Sequence, residues 1–182
     1  MKGTLTAAAA HKQYEEGMTA FRKQIADPTL RMQFGREADR FMRECVLGVW
    51  HADGASLTPR YVEFYNAVYC KGNEVPSALY WELAAACADY PGFYEPAFFK
   101  KMREDDKLFG RQTARRFADL FTLTMLLFAA VDDVVSEEEA GFVNACADAL
   151  LALCDRDGLT AEKPPLKADE FITRTSGPAA AA

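Results

Sequence analysis

Histidine is scarce in this chain, and the common catalytic motifs are missing. Its 182 residues include two histidines, His11 and His51, which lie far apart in the sequence. It contains no nucleophile elbow, no Walker loop and no HExxH motif. Acid–base and metal-assisted catalysis depend on such groups. We therefore expect a protein that is not an enzyme.

Long apolar runs are missing as well. The longest, residues 117–131, is interrupted by Asp119 and two threonines, whereas a membrane-spanning helix needs roughly 20 apolar residues. The alanine patch near the amino terminus meets charged residues within a few positions, which is not typical of a secretory signal. These absences predict a soluble, cytoplasmic protein without a membrane span.

The cysteines form no disulfide or zinc pattern. Their number is five, which is odd, and no two of them form a CxxC pair. Most fall on apolar helix faces, where a free cysteine behaves as a small hydrophobic residue. We therefore predict buried, reduced thiols at Cys45, Cys70, Cys87, Cys146 and Cys154.

Apolar residues at helical spacing are abundant. Half of the residues are apolar and 26% are charged, which is typical of a folded protein with one sizeable core. Tyr14, Met18, Phe21 and Ile25 recur at 4-3-4 spacing, and similar stripes follow along the chain, with no strand-like alternation. The sequence predicts an all-α fold, a single compact bundle of about seven helices.

Proline and glycine divide the chain into three predicted parts. Residues 1–27 form an amphipathic helix that either docks on the bundle or offers its apolar stripe to a partner. Residues 28–160 form the bundle, with Pro28 at the first position of the second helix. Residues 161–182, which contain proline and alanine, are predicted to be a flexible tail or linker.

Two of the predicted helices have a distinctive composition. The sixth, over residues 111–131, is apolar on almost every side, and such a helix is usually the central one. The fourth is predicted to start at Pro76 or Ser77 and to end before Pro91-Gly92. Its predicted inward residues are Leu79, Leu83, Ala86, Cys87 and Tyr90.

Two stretches, residues 49–67 and 128–145, have nearly the same pattern. They read VWHADGASLTPRYVEFYNA and FAAVDDVVSEEEAGFVNA. In each, an apolar helix ends at an acidic turn and a hydroxyl residue, Thr58 or Ser136, caps the next helix. Ser136 also starts a capping box with Glu139. The chain is predicted to contain an internal helix-turn-helix repeat.

The acidic residues of the two turns are candidate ligands for a divalent cation. Their hard oxygen atoms suit calcium or magnesium, although neither turn fits the EF-hand pattern. The same acids can instead cap the helix that follows, where free amide groups attract negative charge. Both interpretations stay open for Asp53, Asp132, Asp133 and Glu139.

The two motif blocks resemble the tandem motif of the TerB family, which is named for tellurite resistance. The resemblance covers roughly residues 34–157 and implies a helical bundle built from a repeat, with Asp53 and Asp132 at the acidic turn positions. It also implies an adaptor or sensor in bacterial stress response or phage defence, alone or as a module of a larger protein. Tyr61 stands where the second copy has Glu139, and Asp133 replaces the expected glycine.

We therefore expect a non-catalytic interaction or sensor module that binds another protein or a further domain of its own chain. One alternative is a small-molecule or lipid-binding bundle that uses the aromatic residues of Tyr90–Phe99. A second alternative is a metal-dependent enzyme that uses the turn carboxylates. We do not expect nucleic-acid binding, because acids interrupt the basic segment Lys100–Arg116.

Overall fold

Helices joined by turns make up the part of the chain that the computed structural model describes, residues 5–54, 57–161 and 163–173. No β-strand occurs within these residues, so the predicted all-α bundle is confirmed. Two short 3-10 helices, Ala130–Asp132 and Ala168–Phe171, accompany seven α-helices. These are α1 (Ala7–Arg22), α2 (Pro28–Ala52), α3 (Pro59–Tyr69), α4 (Pro76–Ala88), α5 (Ala97–Phe109), α6 (Thr113–Ala129) and α7 (Glu137–Arg156).

Proline and capping side chains set most of the helix starts. Pro28 occupies the first turn of α2, and the Asp27 carboxylate accepts a hydrogen bond from the Leu30 amide at 2.6 Å. Pro59 and Pro76 begin α3 and α4 in the same way, since proline lacks the amide proton that would be unpaired there. The predicted starts of α2 near Pro28 and of α4 at Pro76 or Ser77 are confirmed.

Helix α6 is at the centre of the bundle, as its composition predicts. It contacts α1, α2, α5 and α7, and its exposed large apolar side chain is Leu123. Phe117 lies in a group of edge-to-face rings, with its centroid 5.1 Å from that of Phe98 and 6.0 Å from that of Phe34. Such pairs add to the stabilisation from apolar burial.

The first helix docks on the bundle rather than projecting its stripe into solvent. Helix α1 contacts α2, α3 and α6, and Tyr14 and Phe21 are buried. The Tyr14 hydroxyl donates to the Asp39 carboxylate of α2 at 2.9 Å. Of the two predicted possibilities, docking is therefore the one that the fold shows.

Part of the predicted flexible tail also packs on the bundle. The Ala168 amide donates to the Asn144 side chain at 2.8 Å, and the Leu166 amide donates to Asp119 at 3.1 Å. The Thr173 amide donates to the Val135 carbonyl at 2.9 Å. The tail is therefore ordered against α6 and α7 over residues 163–173, while residues 174–182 lie outside the described part of the chain.

Three local predictions differ from the structure. Ala86 is exposed, and Tyr90 is half-buried beyond the end of α4. The Thr58 side chain makes no capping hydrogen bond to α3.

Within the described residues, no helix combines the length and the apolar character needed to cross a bilayer.

Candidate functional site

The first acidic turn joins α2 to α3. Asp53 follows the last residue of α2 in helical conformation, and Gly54 has a φ of 61°. Glycine takes this left-handed conformation without steric cost. Tyr61 then lies in the first turn of α3 and is buried, although its equivalent in the second copy is a glutamate.

The second acidic turn joins α6 to α7 through the 3-10 helix Ala130–Asp132. Asp132 accepts a hydrogen bond from the Val134 amide at 3.1 Å. Asp133 has a φ of 66°, a conformation that aspartate tolerates better than most residues. Its carboxylate forms a two-point ion pair with Arg60 of α3, with N···O distances of 3.2 and 3.4 Å.

Glu139 completes the predicted capping box. Its carboxylate accepts from the Ser136 amide at 2.9 Å and from the Ser136 hydroxyl at 3.1 Å, while its own amide donates to that hydroxyl at 3.2 Å. The side chain is buried. Burial raises the pKa of Glu139 to about 7, against the opposing effect of the Ser136 hydrogen bonds, and Asp53 and Asp132 raise it further.

The two turns lie within electrostatic range of each other. The pKa of Tyr61 is raised mainly by burial and then by the negative charges of Asp132, Glu139 and Asp53. The fold therefore brings three of the predicted site residues around one buried tyrosine. Asp133 is directed instead to its ion pair with Arg60.

Across residues 5–54, 57–161 and 163–173, no group of three or more histidine, cysteine, aspartate or glutamate side chains is placed to hold a metal ion. Glu139 acts as a capping residue, which is the other interpretation that the sequence left open. The calcium or magnesium site at Asp53, Asp132, Asp133 and Glu139 stays a prediction.

The basic segment Lys100–Arg116 is partly used for internal ion pairs. Arg103 is buried and pairs with Asp157 and, at 2.6 Å, with Glu95. Arg115 pairs with Asp155 at 2.5 Å. Two of its arginines therefore stabilise the contact of α5 and α6 with the end of α7, rather than forming a cationic face for phosphates.

The aromatic segment Tyr90–Phe99 contributes to the core and to one surface cleft. Phe98 and Phe99 are fully buried against Phe117. The exposed Tyr94 donates to Glu44 at 2.7 Å and lines a cleft of about 510 Å³ on the surface. The small-molecule alternative stays a prediction.

The outer side of α4 is exposed and carries few charges. Helix α4 is an edge helix that packs on α2 and α3, and it carries one charged residue, Glu82, in 13. Trp81 is 73% exposed and Val75, just before the helix, is 63% exposed. Exposed apolar surface of this kind marks interaction sites. We define the α4 surface as Val75, Ala78, Trp81, Glu82 and Ala85, all exposed.

A groove of about 500 Å³ adjoins the α4 surface on its α2 side. Trp50 forms part of its floor, is 1% exposed and donates to the Phe128 carbonyl at 3.3 Å. Cys87 lies opposite, and burial raises the pKa of its thiol, so it is not an activated nucleophile. The groove lining consists of Trp50, His51, Gly54, Leu57, Tyr80, Ala84, Cys87 and Ala88.

Sequence reasoning missed the α4 surface because it treated Ala86 and Tyr90 as part of one inward stripe. A usable signal exists in the sequence. Helix α5 has the same length as α4 and contains seven charged residues, whereas α4 contains one. A helix that is apolar on both sides is either buried in a core or covered by a partner.

Comparison with family models, with curated proteins and with solved structures found no match to this chain. The resemblance to the TerB family therefore stays a prediction.

Proposed function

We propose that this chain is a non-catalytic protein-interaction module of TerB-like type that acts in the cytoplasm and binds its partner through the α4 surface. The observation that carries the proposal is the exposure of Trp81 beside an apolar groove at the edge of the bundle. Tryptophan is among the residues that contribute most to binding energy at protein interfaces. Covering it would remove a large apolar side chain from water.

Other features of the structure support the same proposal. The five cysteines are free, and four of them are buried, which agrees with a reducing compartment. At the second turn, the buried Glu139 carboxylate is hydrogen-bonded within a helix cap. Glu139 thus has a capping role in the fold, and the α4 surface is exposed for recognition.

The test is site-specific cross-linking in cells that naturally express the chain. A photo-reactive benzophenone amino acid is placed at position 81 and, as a matched control, at position 123, where Leu123 is an exposed apolar residue of α6. We expect one identified protein to be cross-linked from position 81 and not from position 123. The purified partner should also bind the chain, and Ala78→Glu should abolish that binding. The same adducts from both positions, or none from position 81, would overturn the proposal.

A further inference from the structure

The charged residues in the sequence segment that contains α4 are all acidic. Between Asn73 and Phe99 the sequence has four acids and no lysine or arginine. Glu74, Glu82 and Asp89 are exposed at or beside α4. A partner that covers this helix would therefore meet apolar surface and negative charge together, and complementary charge favours both correct orientation and fast association.

Helix geometry places these features in a fixed order. Successive residues of an α-helix are about 100° apart, and Leu79, Leu83 and Cys87 define the buried side of α4. On the opposite side, Trp81 and Ala85 form an apolar stripe. Glu82 and Asp89, seven residues apart, lie along one edge of that stripe. The groove lies along the other edge, where Tyr80 and Ala84 line it.

The stripe suits a helical partner. Alanine at positions 78 and 85 lets another helix approach closely, because interaxial distances shrink when contact residues are small. Trp81 offers one large anchor, and the groove of about 500 Å³ can receive an apolar side chain from the partner. Amphipathic helices bind grooves through anchors spaced three and four residues apart.

A second copy of this chain is a poor symmetric partner. In a two-fold dimer the same patch appears on both sides, so two α4 surfaces in contact would bring the acids of one near the acids of the other. Such like-charge contacts oppose association. A partner with basic residues beside its apolar stripe has no such conflict.

We infer that the α4 surface and its groove bind an amphipathic helix that carries lysine or arginine along one edge of its apolar stripe. This inference rests on the proposed function and specifies the chemistry of the partner. Apolar residues of that helix would cover Trp81 and enter the groove. Its basic residues would pair with Glu82 and Asp89.

A designed peptide tests the inference directly. The probe is a fluorescein-labelled helix of about 18 residues, long enough to form several turns, with a leucine stripe edged by lysines. The matched probe has the same pattern with glutamates in place of lysines. Binding is followed by fluorescence anisotropy. The blue shift of tryptophan emission provides a second readout, since Trp81 is exposed and Trp50 is buried in the free protein.

Two pairs of variants provide the specificity controls. Trp81→Ala is compared with Leu123→Ala, and Glu82→Lys is compared with Glu104→Lys, which makes the same charge change on the exposed face of α5. We expect the lysine peptide to bind, Trp81→Ala to weaken it roughly 10-fold or more, and Glu82→Lys to weaken it several-fold. The two control variants should bind like the wild-type chain, and the glutamate peptide should not bind.

Each contrary result has a defined meaning. If Glu82→Lys and Glu104→Lys weaken binding of the lysine peptide equally, the peptide is attracted to an acidic protein without specificity, and the inference is overturned. Equal binding of the glutamate peptide would overturn the basic character of the partner. Self-association that Trp81→Ala abolishes would identify a second copy as the occupant. A cellular partner that is cross-linked at position 81 but has no basic amphipathic helix would overturn this inference and leave the proposed function intact. If no partner is cross-linked at position 81, both are overturned.

Discussion

The turn after α2 and the turn after α6 reverse the chain between two helices, yet their buried positions have different chemistry. The third residue of α3 is Tyr61, and the third residue of α7 is Glu139. Glu139 forms a capping box with Ser136, whereas Thr58 makes no capping bond with its side chain. The second turn is thus closed by local hydrogen bonds, and the first depends on the packing of Tyr61 and on Pro59.

One feature is the same in both copies. Asn66 in α3 and Asn144 in α7 each hold the segment that follows their helix. Asn66 donates to the Glu74 carbonyl at 2.9 Å and accepts from the Glu74 amide at 3.2 Å. Asn144 accepts from the Ala168 amide and donates to Asp169 at 2.9 Å. The two segments of the predicted repeat therefore share a hydrogen-bonding position and differ in their capping chemistry.

The largest expected difference in stability between equivalent variants of the two copies concerns these asparagines. Asn66 is buried, so Asn66→Ala leaves the Glu74 backbone groups poorly satisfied and should lower the free energy of unfolding by about 2–3 kcal/mol. Asn144→Ala acts at a more exposed site and should cost about 1 kcal/mol. Urea denaturation of both variants checks this order. Equal losses would show that the two positions are energetically equivalent.

The next effect is a pH dependence confined to the second copy. The pKa of Glu139 is about 7 in the folded chain, above its ordinary value of 4.5, so the folded state binds the proton more tightly than the unfolded state. The contribution of Glu139 to folding stability is fully present when the pH is below its ordinary pKa, and it is lost as the pH rises through about 7. The free energy of unfolding should therefore fall by about 3 kcal/mol over that window.

Two glutamine variants isolate this contribution. Glu139→Gln is neutral at every pH and should flatten the decline between pH values near 5 and 8. Glu138→Gln, a change at the exposed residue beside it, should leave the wild-type decline in place. Thermal or urea unfolding across this range measures the difference. A decline of the same size in Glu139→Gln would assign the titration to another group.

Helix boundaries could be read from the sequence because their causes are local. Pro28, Pro59 and Pro76 each restrict the backbone at their own position, and the Ser136–Glu139 box spans four consecutive residues. These features need no knowledge of the rest of the fold. The same is true of α6, whose central place follows from its composition.

The C-terminal segment and the α4 surface depend on contacts that local patterns do not encode. Residues 163–173 have no apolar period and are held by Asn144 and Asp119, which lie far away in the sequence. Alanine fits both a core and a surface, so the orientation of α4 depends on which neighbours it meets. The spacing of Leu79, Leu83 and Cys87 identifies the buried side of α4, but Ala86 cannot be assigned to either side from its residue type.

The caps provide a third contrast between the copies. Ser136→Ala removes the hydroxyl that accepts from the Glu139 amide and should lower the free energy of unfolding by about 1–2 kcal/mol. Thr58→Ala removes a side chain that makes no such bond and should change it by less than about 0.5 kcal/mol. Chemical denaturation of both variants checks the contrast. A larger loss for Thr58→Ala would mean that the first copy also has a stabilising cap.

The smallest expected effect on stability concerns the ion pair between Asp133, in the turn after α6, and Arg60 of α3. Asp133→Asn retains a residue that tolerates the left-handed conformation at φ 66° but removes the charge that pairs with Arg60. Because the pair is partly exposed, the loss should be about 0.5 kcal/mol and should shrink as salt is added. Asp133→Gly loses the same pair but relieves the backbone, so it should be at least as stable as Asp133→Asn. Unfolding at low and high salt measures both variants, and a loss in Asp133→Asn that salt does not reduce would show that the carboxylate acts through hydrogen bonds within the turn rather than through its charge.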